Sequence, residues 1–113
     1  MMYYWPMTWS VDTLNEAVDA ELDALPADIF ARFKRIVELI ESQGLEHLRE
    51  PHVKHIENKL WEMRMKGRDG IARAIYVAAR GKRVVVVRAF TKKTQKTPRK
   101  EIAIARERAK EVK

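Results

Sequence analysis

The sequence predicts an α+β fold: an N-terminal helical hairpin packed on an antiparallel β-sheet, with a C-terminal helix. Apolar residues recur every three or four positions between residues 14 and 43, the spacing of amphipathic helices. From residue 59 they alternate with polar residues, as in strands, and helical spacing returns after residue 98. With 113 residues, 46% of them apolar, the chain is expected to form one domain, residues 1–113, around a buried core.

A short strand and two helices are expected first. Residues 8–11 can form the strand, and Asp12, Thr13 and Asn15 follow it as candidate helix caps. The first helix has acidic residues between apolar positions at helical spacing, which are Leu14, Val18, Leu22 and Leu25. Pro26 ends this helix and starts a second one that runs to Gln43. Gly44 then suits a left-handed C-terminal cap.

Three strands are expected in the second half, after an irregular polar stretch at residues 45–57. They cover residues 59–66, 71–79 and 83–90, and the short turns at 67–70 and 80–82 make them an antiparallel meander. In the first of these strands Trp61, Met63 and Met65 share one face, which predicts that all three are core residues.

A polar loop and a final helix complete the chain. The loop covers residues 91–96 and contains Lys92, Lys93 and Lys96. Thr97 is expected to cap the helix and Pro98 to occupy its first position, with the helix spanning residues 99–112. Backbone N–H groups at that helix start attract phosphate, so the loop is a candidate anion-binding segment.

The charge of the chain is divided unevenly between its halves. Residues 1–57 hold 5 Lys and Arg against 11 Asp and Glu, whereas residues 58–113 hold 18 against 5. Such asymmetry favours a polyanion as the partner of the second half over an incidentally basic surface. The acidic first half has no catalytic pattern and is interpreted as scaffold.

Charged residues inside the strands are the strongest candidates for a site. Glu62 and Arg64 point away from the apolar face of their strand, and Arg73 interrupts an otherwise apolar strand. Guanidinium groups bind phosphate oxygens well, although ordinary Glu–Arg pairs across the strands are the alternative. The catalytic candidates are Arg64, Arg73, Lys92 and Glu62. The candidates for nucleic-acid binding are Lys54, Lys59, Lys66, Arg68, Tyr76, Arg88, Lys93 and Lys96.

Aromatic and histidine residues give weaker indications. Tyr76 could stack on an unpaired base, but its parity is opposite to that of Arg73, so both reach one surface only if a bulge intervenes. His52 and His55 have the spacing of one helical turn, yet no third ligand suggests a metal, and His55 could instead contact RNA. The chain has no Gly-rich phosphate loop, no nucleophile elbow and no Cys, so no metal and no cofactor are predicted.

Three segments carry a resemblance to a known family. They are NKLWEMR at residues 58–64, GIARAIY at 70–76 and FTKKTQKTP at 90–98. Together they resemble the RelE/ParE superfamily of toxins, and most of all its HigB-like, phage Gp49-like branch. In that branch a Leu-Trp-Glu-Leu-Arg strand precedes a Gly-x-x-Arg-x-x-Tyr strand, and a hydrophobic strand leads to Phe-x-Lys-Lys-Thr-x-Lys-Thr-Pro and a last helix. The resemblance covers roughly residues 8–112.

The resemblance implies a RelE-like fold and the toxin of a type II toxin–antitoxin system. Relatives enter the ribosomal A site and cleave mRNA without a metal, and a cognate antitoxin, often a helix-turn-helix protein, neutralises them. The family's basic strand residues match Arg64 and Arg73, and the basic residues after its last strand match Lys92 and Lys93. In some relatives an acidic residue ahead of the first strand of the meander assists; Glu50 lies in a similar place here, and Glu62 is the other acid available. The late Tyr or His of several relatives is missing here.

The resemblance leaves two other functions open. The ParE branch implies a protein that inhibits DNA gyrase by binding, and a degenerate relative implies a nucleic-acid-binding module without toxicity. For an mRNA-cleaving toxin, the expected partners are the antitoxin, the 70S ribosome and mRNA. No interaction with a membrane is expected. The free toxin is expected to be a monomer. It is expected in the cytoplasm, since nothing predicts a signal peptide or a membrane-spanning helix.

Overall fold

The computed structural model describes residues 8–93 and 96–113 of the chain. It confirms the α+β class, with helices on both faces of a five-stranded sheet. The strands are β1 (Ser10–Thr13), β2 (Val53–Glu57), β3 (Leu60–Lys66), β4 (Ile71–Ala79) and β5 (Arg83–Lys92). The helices are α1 (Glu16–Asp23), α2 (Ala27–Gln43) and α3 (Arg99–Ala109), with a short 3-10 helix at Leu45–His47.

The N-terminal hairpin forms much as its capping residues predict. The side chain of Asn15 accepts a hydrogen bond from the Val18 N–H and caps α1, and Pro26 precedes α2. Gly44 ends α2 with a φ of 93° and a ψ of 148°. That positive φ favours glycine, but the ψ value is extended, so the predicted left-handed cap is wrong in detail.

The sheet is mixed rather than antiparallel, which corrects the prediction. Its strand order is β1-β5-β4-β3-β2, and β1 pairs with β5 in parallel. The other neighbours are antiparallel, so the predicted meander is confirmed. Strand β1 covers Ser10–Thr13 instead of residues 8–11. Its pairing with β5 begins with Ser10 opposite Arg83 and ends with Thr13 opposite Val86, which sets these bounds.

Strand β2 lies in the stretch predicted to be irregular. Its five residues pair with β3, with a register shift between His55 and Glu57. Only Val53 and Ile56 are apolar among them, so the segment has no clear alternation. The hydrogen bonds offered by the edge of β3 therefore decide its conformation.

Two apolar clusters lie on opposite faces of the sheet. One packs α1 and α2 against side chains that include Met63, Met65 and Tyr76. The other packs α3, through Ala105, against residues that include Ile75 and Val87. Burial of both faces explains why β4 and β5 are almost continuously apolar.

Three expected details of β3 and α3 are wrong. Trp61 is 39% exposed rather than buried, and it packs edge-on against the ring of His55, with 5.0 Å between centroids. Thr97 does not cap α3, since Pro98 precedes the helix without a side-chain cap, and the helix ends at Ala109. The Thr97 hydroxyl donates to Glu62 instead.

Candidate nucleic-acid interface

The pairing of β3 with β4 brings the predicted arginines together. Arg64 and Arg73 are opposite partners in the antiparallel register, so both side chains leave the same face of the sheet. Glu62 lies on that face two residues before Arg64, and Lys54 of β2 is its register partner. Four of the predicted site residues therefore share one surface, beside the region where α3 packs.

Glu62 holds the two arginines in place. Its carboxylate oxygen Oε2 accepts a hydrogen bond from Nε of Arg73 at 3.1 Å and lies 3.8 Å from Nε of Arg64. The other oxygen, Oε1, accepts the hydroxyl of Thr97 from the segment before α3. The Glu62 side chain is only 5% exposed, so its charge is neutralised by these partners rather than by water.

Arg73 and Lys92 are buried cations next to each other. Arg73 is 2% exposed, and burial lowers the pKa of its guanidinium, while the neighbouring Glu62 opposes that change. Burial also lowers the pKa of Lys92 to about 8, and the charge of Arg73 acts in the same direction. A lysine whose pKa lies this close to neutrality can give up a proton at physiological pH.

A basic cleft opens beside these residues. The register of β2 with β3 begins at Val53 opposite Met63, so Met65 and Lys66 at the end of β3 have no register partner in β2. A cleft of about 410 Å³ lies there. Its cationic lining consists of Arg32 and Arg35 from α2, Arg64 and Lys66 from β3, and Arg73 from β4. We call it the arginine cleft.

The turn between β3 and β4 is fixed against the start of α2. The carboxylate of Asp28 accepts the backbone N–H of Arg68 at 2.7 Å, and that hydrogen bond lowers the pKa of Asp28. A Cβ atom on Gly67 would lie 2.5 Å from a side-chain carbon of Ile29, so the close approach requires glycine. This contact fixes the turn that directly follows Lys66, a lining residue of the arginine cleft.

The remaining predicted basic residues are dispersed over the surface. Lys66 lines the cleft, and the side chain of Arg68 is exposed at the turn beside it. Lys93 and Lys96 are exposed on either side of Thr94 and Gln95, which belong to the FTKKTQKTP motif and lie outside the described residues. Lys59 is exposed in the turn between β2 and β3.

Arg88, which was predicted to bind nucleic acid, forms ion pairs within the fold. Arg88 contacts Glu21 of α1 and Glu101 of α3, both at 2.7 Å, and Arg108 joins the same Glu21 at 2.8 Å. These ion pairs connect both helices to β5 and occupy the Arg88 side chain. The sequence suggested otherwise because Glu21 is distant along the chain.

Tyr76 is a core residue rather than a stacking platform. It is 1% exposed on the face that α2 covers, and burial raises the pKa of its hydroxyl. The register shift near Tyr76 is in the β4–β5 pairing, whereas β4 pairs with β3 without a shift. Tyr76 and Arg73 therefore stay on opposite faces.

The histidines are spread along the strand edge. Nε2 of His55 lies 2.7 Å from the carbonyl oxygen of Asn58, and the carbonyl of His52 accepts the N–H of Arg64. Within residues 8–93 and 96–113, no three His, Asp or Glu side chains are grouped as metal ligands. No helix in these same ranges is long and apolar enough to cross a membrane.

Sequence reasoning missed three contributors to this surface. Arg32 and Arg35 belong to α2 in the acidic half of the chain, and only the packing of α2 on β3 brings them to Arg64. Thr97 was assigned to helix capping, a local role, whereas its partner Glu62 comes from a distant strand. The i, i+3 spacing of the two arginines on one helix face was the available signal.

Comparisons with known proteins show the family of the chain and agree with its fold. A family model described as "Phage derived protein Gp49-like (DUF891)" matches residues 20–110. A chain in the crystal structure of the archaeal RelE–RelB complex from Pyrococcus horikoshii OT3 is 24% identical, with a TM-score of 0.55. That match covers 75% of this chain and 96% of the archaeal one. A mutant of the E. coli toxin RelE in the free state is 17% identical, with a TM-score of 0.58, and the match covers 90% and 98% of the two chains. No curated protein sequence matches the chain.

Proposed function

Because the chain belongs to the Gp49-like family and has the RelE fold, we propose that it is the toxin of a type II toxin–antitoxin system. Its activity in this proposal is ribosome-dependent cleavage of mRNA, which stops translation in the cytoplasm. The observation that carries the proposal is the arrangement of Arg64 and Arg73. Two guanidinium groups stand opposite each other, beside a lysine of lowered pKa, in a cleft whose charged lining residues are cationic.

The reaction is transfer of the phosphoryl group to the neighbouring ribose. The 2′-oxygen of one nucleotide attacks the adjacent phosphorus, a new P–O2′ bond forms, and the P–O5′ bond breaks. The products are a 2′,3′-cyclic phosphate and a free 5′-hydroxyl. The 2′-hydroxyl loses its proton to water, and the departing O5′ takes up one proton. No oxidant, reductant or metal enters this balance.

The arginines act on the phosphate. Extra negative charge develops on the two non-bridging oxygens during the attack, and fixed guanidinium donors stabilise it without reorganising. Arg64, with a side chain that is 24% exposed, makes the first contact. The more deeply buried Arg73 is reached through the arginine cleft.

Lys92 supplies the proton for the leaving group. With a pKa of about 8 it is mostly protonated at neutral pH, and it is a stronger acid than an ordinary lysine. Glu62, which was expected to assist in proton transfer, serves as a positioning residue in this proposal. Its carboxylate contacts both guanidinium groups, and these contacts fix Arg64 and Arg73.

The partners follow from the same proposal. RelE of Pyrococcus horikoshii OT3 was solved in a complex with RelB, which supports a cognate antitoxin for this chain. We propose a helix-turn-helix antitoxin, a monomeric free toxin, and the 70S ribosome with its mRNA as the target. The exposed basic residues around the sheet, such as Lys54, Lys93 and Lys96, would contact RNA backbone there.

Primer extension on a reporter mRNA tests the function. The purified protein is incubated with the message alone and with 70S ribosomes programmed with it. Discrete cuts that require ribosomes support the proposal. Absence of cuts from a protein that still arrests growth contradicts it and favours the gyrase-binding alternative.

A further inference from the structure

The arginine cleft has both cationic and apolar lining residues, and the proposed cleavage step uses only Arg64 and Arg73 among them. One part of its lining is cationic and includes Arg32 and Arg35 of α2 with Arg64 and Lys66 of β3, which we call the rim. None of its lining residues, all within the described part of the chain, is an Asp or a Glu. A cleft of this charge selects an anion, and a net positive rim concentrates it.

Apolar side chains form another part of the lining, which we call the apolar floor. It consists of Ile36 and Leu39 from α2 together with Met65 and Ile71 from the sheet. The volume of about 410 Å³ lies in the range of roughly 300–1,000 Å³ that small-ligand pockets occupy. A flat aromatic group would fit such a floor, and a simple phosphate ion would leave it open to water.

The α2 arginines are available for an anionic ligand. Arg32 and Arg35 are both exposed. The partner of Arg35 is Glu38 on the same helix at 3.5 Å, with both side chains about two-thirds exposed. Exposed pairs of this kind contribute little to stability, so a phosphate group can replace the carboxylate at small cost.

We propose that the arginine cleft binds one nucleotide of the RNA strand next to the cleaved bond. The base lies on the apolar floor, and the phosphates of the strand on the side away from the cleaved bond contact Arg32 and Arg35. Because Arg64 and Arg73 line the same cleft, a strand that continues from this nucleotide brings its next phosphate to the site of cleavage. The inference rests on the proposed function and adds to it a binding subsite on α2.

Binding of a non-cleavable RNA tests the subsite separately from catalysis. The probe is a short fluorescein-labelled oligomer of 2′-O-methyl nucleotides, and its affinity is measured by fluorescence anisotropy at several salt concentrations. The variant is Arg32→Gln with Arg35→Gln, since glutamine keeps the helix and removes two charges. The matched control is Arg80→Gln with Lys82→Asn, which removes two exposed charges at the β4–β5 turn. Asparagine tolerates the positive φ of 55° at position 82.

The two double variants have opposite expected results. The α2 variant weakens binding by roughly tenfold or more and reduces the salt slope by about 1.4, corresponding to two lost phosphate contacts. The turn variant leaves the salt slope near the wild-type value. Equal weakening by both variants overturns the proposal, because it indicates unspecific attraction to a basic protein.

An abasic probe tests the position of the base. An oligomer of the same length without bases should bind the wild-type protein several-fold more weakly, and equal affinity overturns the placement of a base on the floor. Primer extension with ribosomes separates failure of the binding subsite from failure of the proposed nuclease activity. If the wild type cleaves and the α2 variant binds the probe as tightly as the wild type, the subsite is contradicted and the nuclease activity is not. RNA binding that depends on Arg32 and Arg35, without cleavage, supports the subsite and contradicts the nuclease.

Discussion

Arg64 and Arg73 stand directly opposite each other on neighbouring strands, and the single carboxylate of Glu62 lies within ion-pair distance of both. Like charges in directly opposed strand positions destabilise a sheet. One buried carboxylate between two guanidinium groups leaves a net positive charge at this place. A fold under no other demand would place a neutral residue at one of the two positions, so the arrangement is typical of a site for an anion.

The two arginines are expected to differ in their effect on stability. Arg73→Gln leaves the buried Glu62 without its shortest ion pair, so the free energy of unfolding should fall by about 3 kcal/mol. Arg64→Gln removes a longer, partly exposed pair and also a like-charge repulsion, so the change should stay below about 1 kcal/mol. Urea denaturation of both variants checks this, and equal losses would show that Glu62 does not depend on Arg73.

Lys92 should reduce stability near neutral pH. The pKa of Lys92 is lowered from 10.5 to about 8 in the folded chain, so the unfolded chain holds this proton more tightly. Unfolding free energy therefore rises as the pH increases from 7 through 8 towards 10.5. Lys92→Met lacks this titration, and its advantage over the wild type should be largest at pH 7 and smaller at pH 9. Parallel stability curves for the two proteins between these pH values contradict the lowered pKa.

The same group should set the pH dependence of cleavage. If Lys92 is the acid that protonates O5′, the rate falls as the pH rises through about 8. Lys92→Met should lower the rate by about 10²–10⁴ and flatten this limb of the profile. Single-turnover rates on programmed ribosomes between pH 7 and 9 provide the measurement. A wild-type rate that rises as the pH increases through 8 contradicts this role and indicates that Lys92 acts as a general base.

Glu21 should stabilise the fold in a pH-dependent way. Burial raises the pKa of its carboxyl, but hydrogen bonds from Arg108 and the Ala89 N–H, with the charge of Arg88, outweigh burial and lower it overall. The stabilisation is present above the unfolded pKa of about 4.5 and is lost as the pH falls through the lower folded pKa. Glu21→Gln should therefore be less stable than the wild type at pH 7, with a smaller difference near pH 3.

Thermal or urea unfolding at both pH values checks the Glu21 prediction. The exposed Glu16 on the same helix offers the matched control, Glu16→Gln, which should differ little from the wild type at pH 7. A Glu21→Gln protein as stable as this control would show that the ion pairs with Arg88 and Arg108 contribute nothing net.

Local signals in the sequence predicted most of the elements. A mostly apolar run between two turns predicted β4 with its observed bounds, and Asn15 and Pro26 marked the starts of the two helices of the hairpin. The strand β2 escaped prediction because its residues do not alternate and its conformation depends on hydrogen bonds from β3. The parallel pairing of β1 was also invisible, since nothing local distinguishes it from an antiparallel edge.

The candidate site, like the fold, could be predicted only in part. Residues on adjacent strands, such as Glu62, Arg64 and Arg73, could be grouped by parity alone. Contacts between distant segments could not: Arg88 is occupied by Glu21, and the arginine cleft needs α2 to lie along the edge of β3. Sequence periodicity carries no information on which helix face meets which strand end.

The most direct test of the central claim is the rate of ribosome-dependent cleavage by Arg64→Gln, beside the wild type and Arg80→Gln as a control of equal charge. Arg64 is the better choice than Arg73 because its loss should leave the fold intact. The account predicts cuts by the wild type only when ribosomes are present, a rate about 10²–10³ lower for Arg64→Gln, and an unchanged rate for Arg80→Gln. Cleavage by a folded Arg64→Gln protein at the wild-type rate, or no cleavage by the wild type on programmed ribosomes, would contradict it.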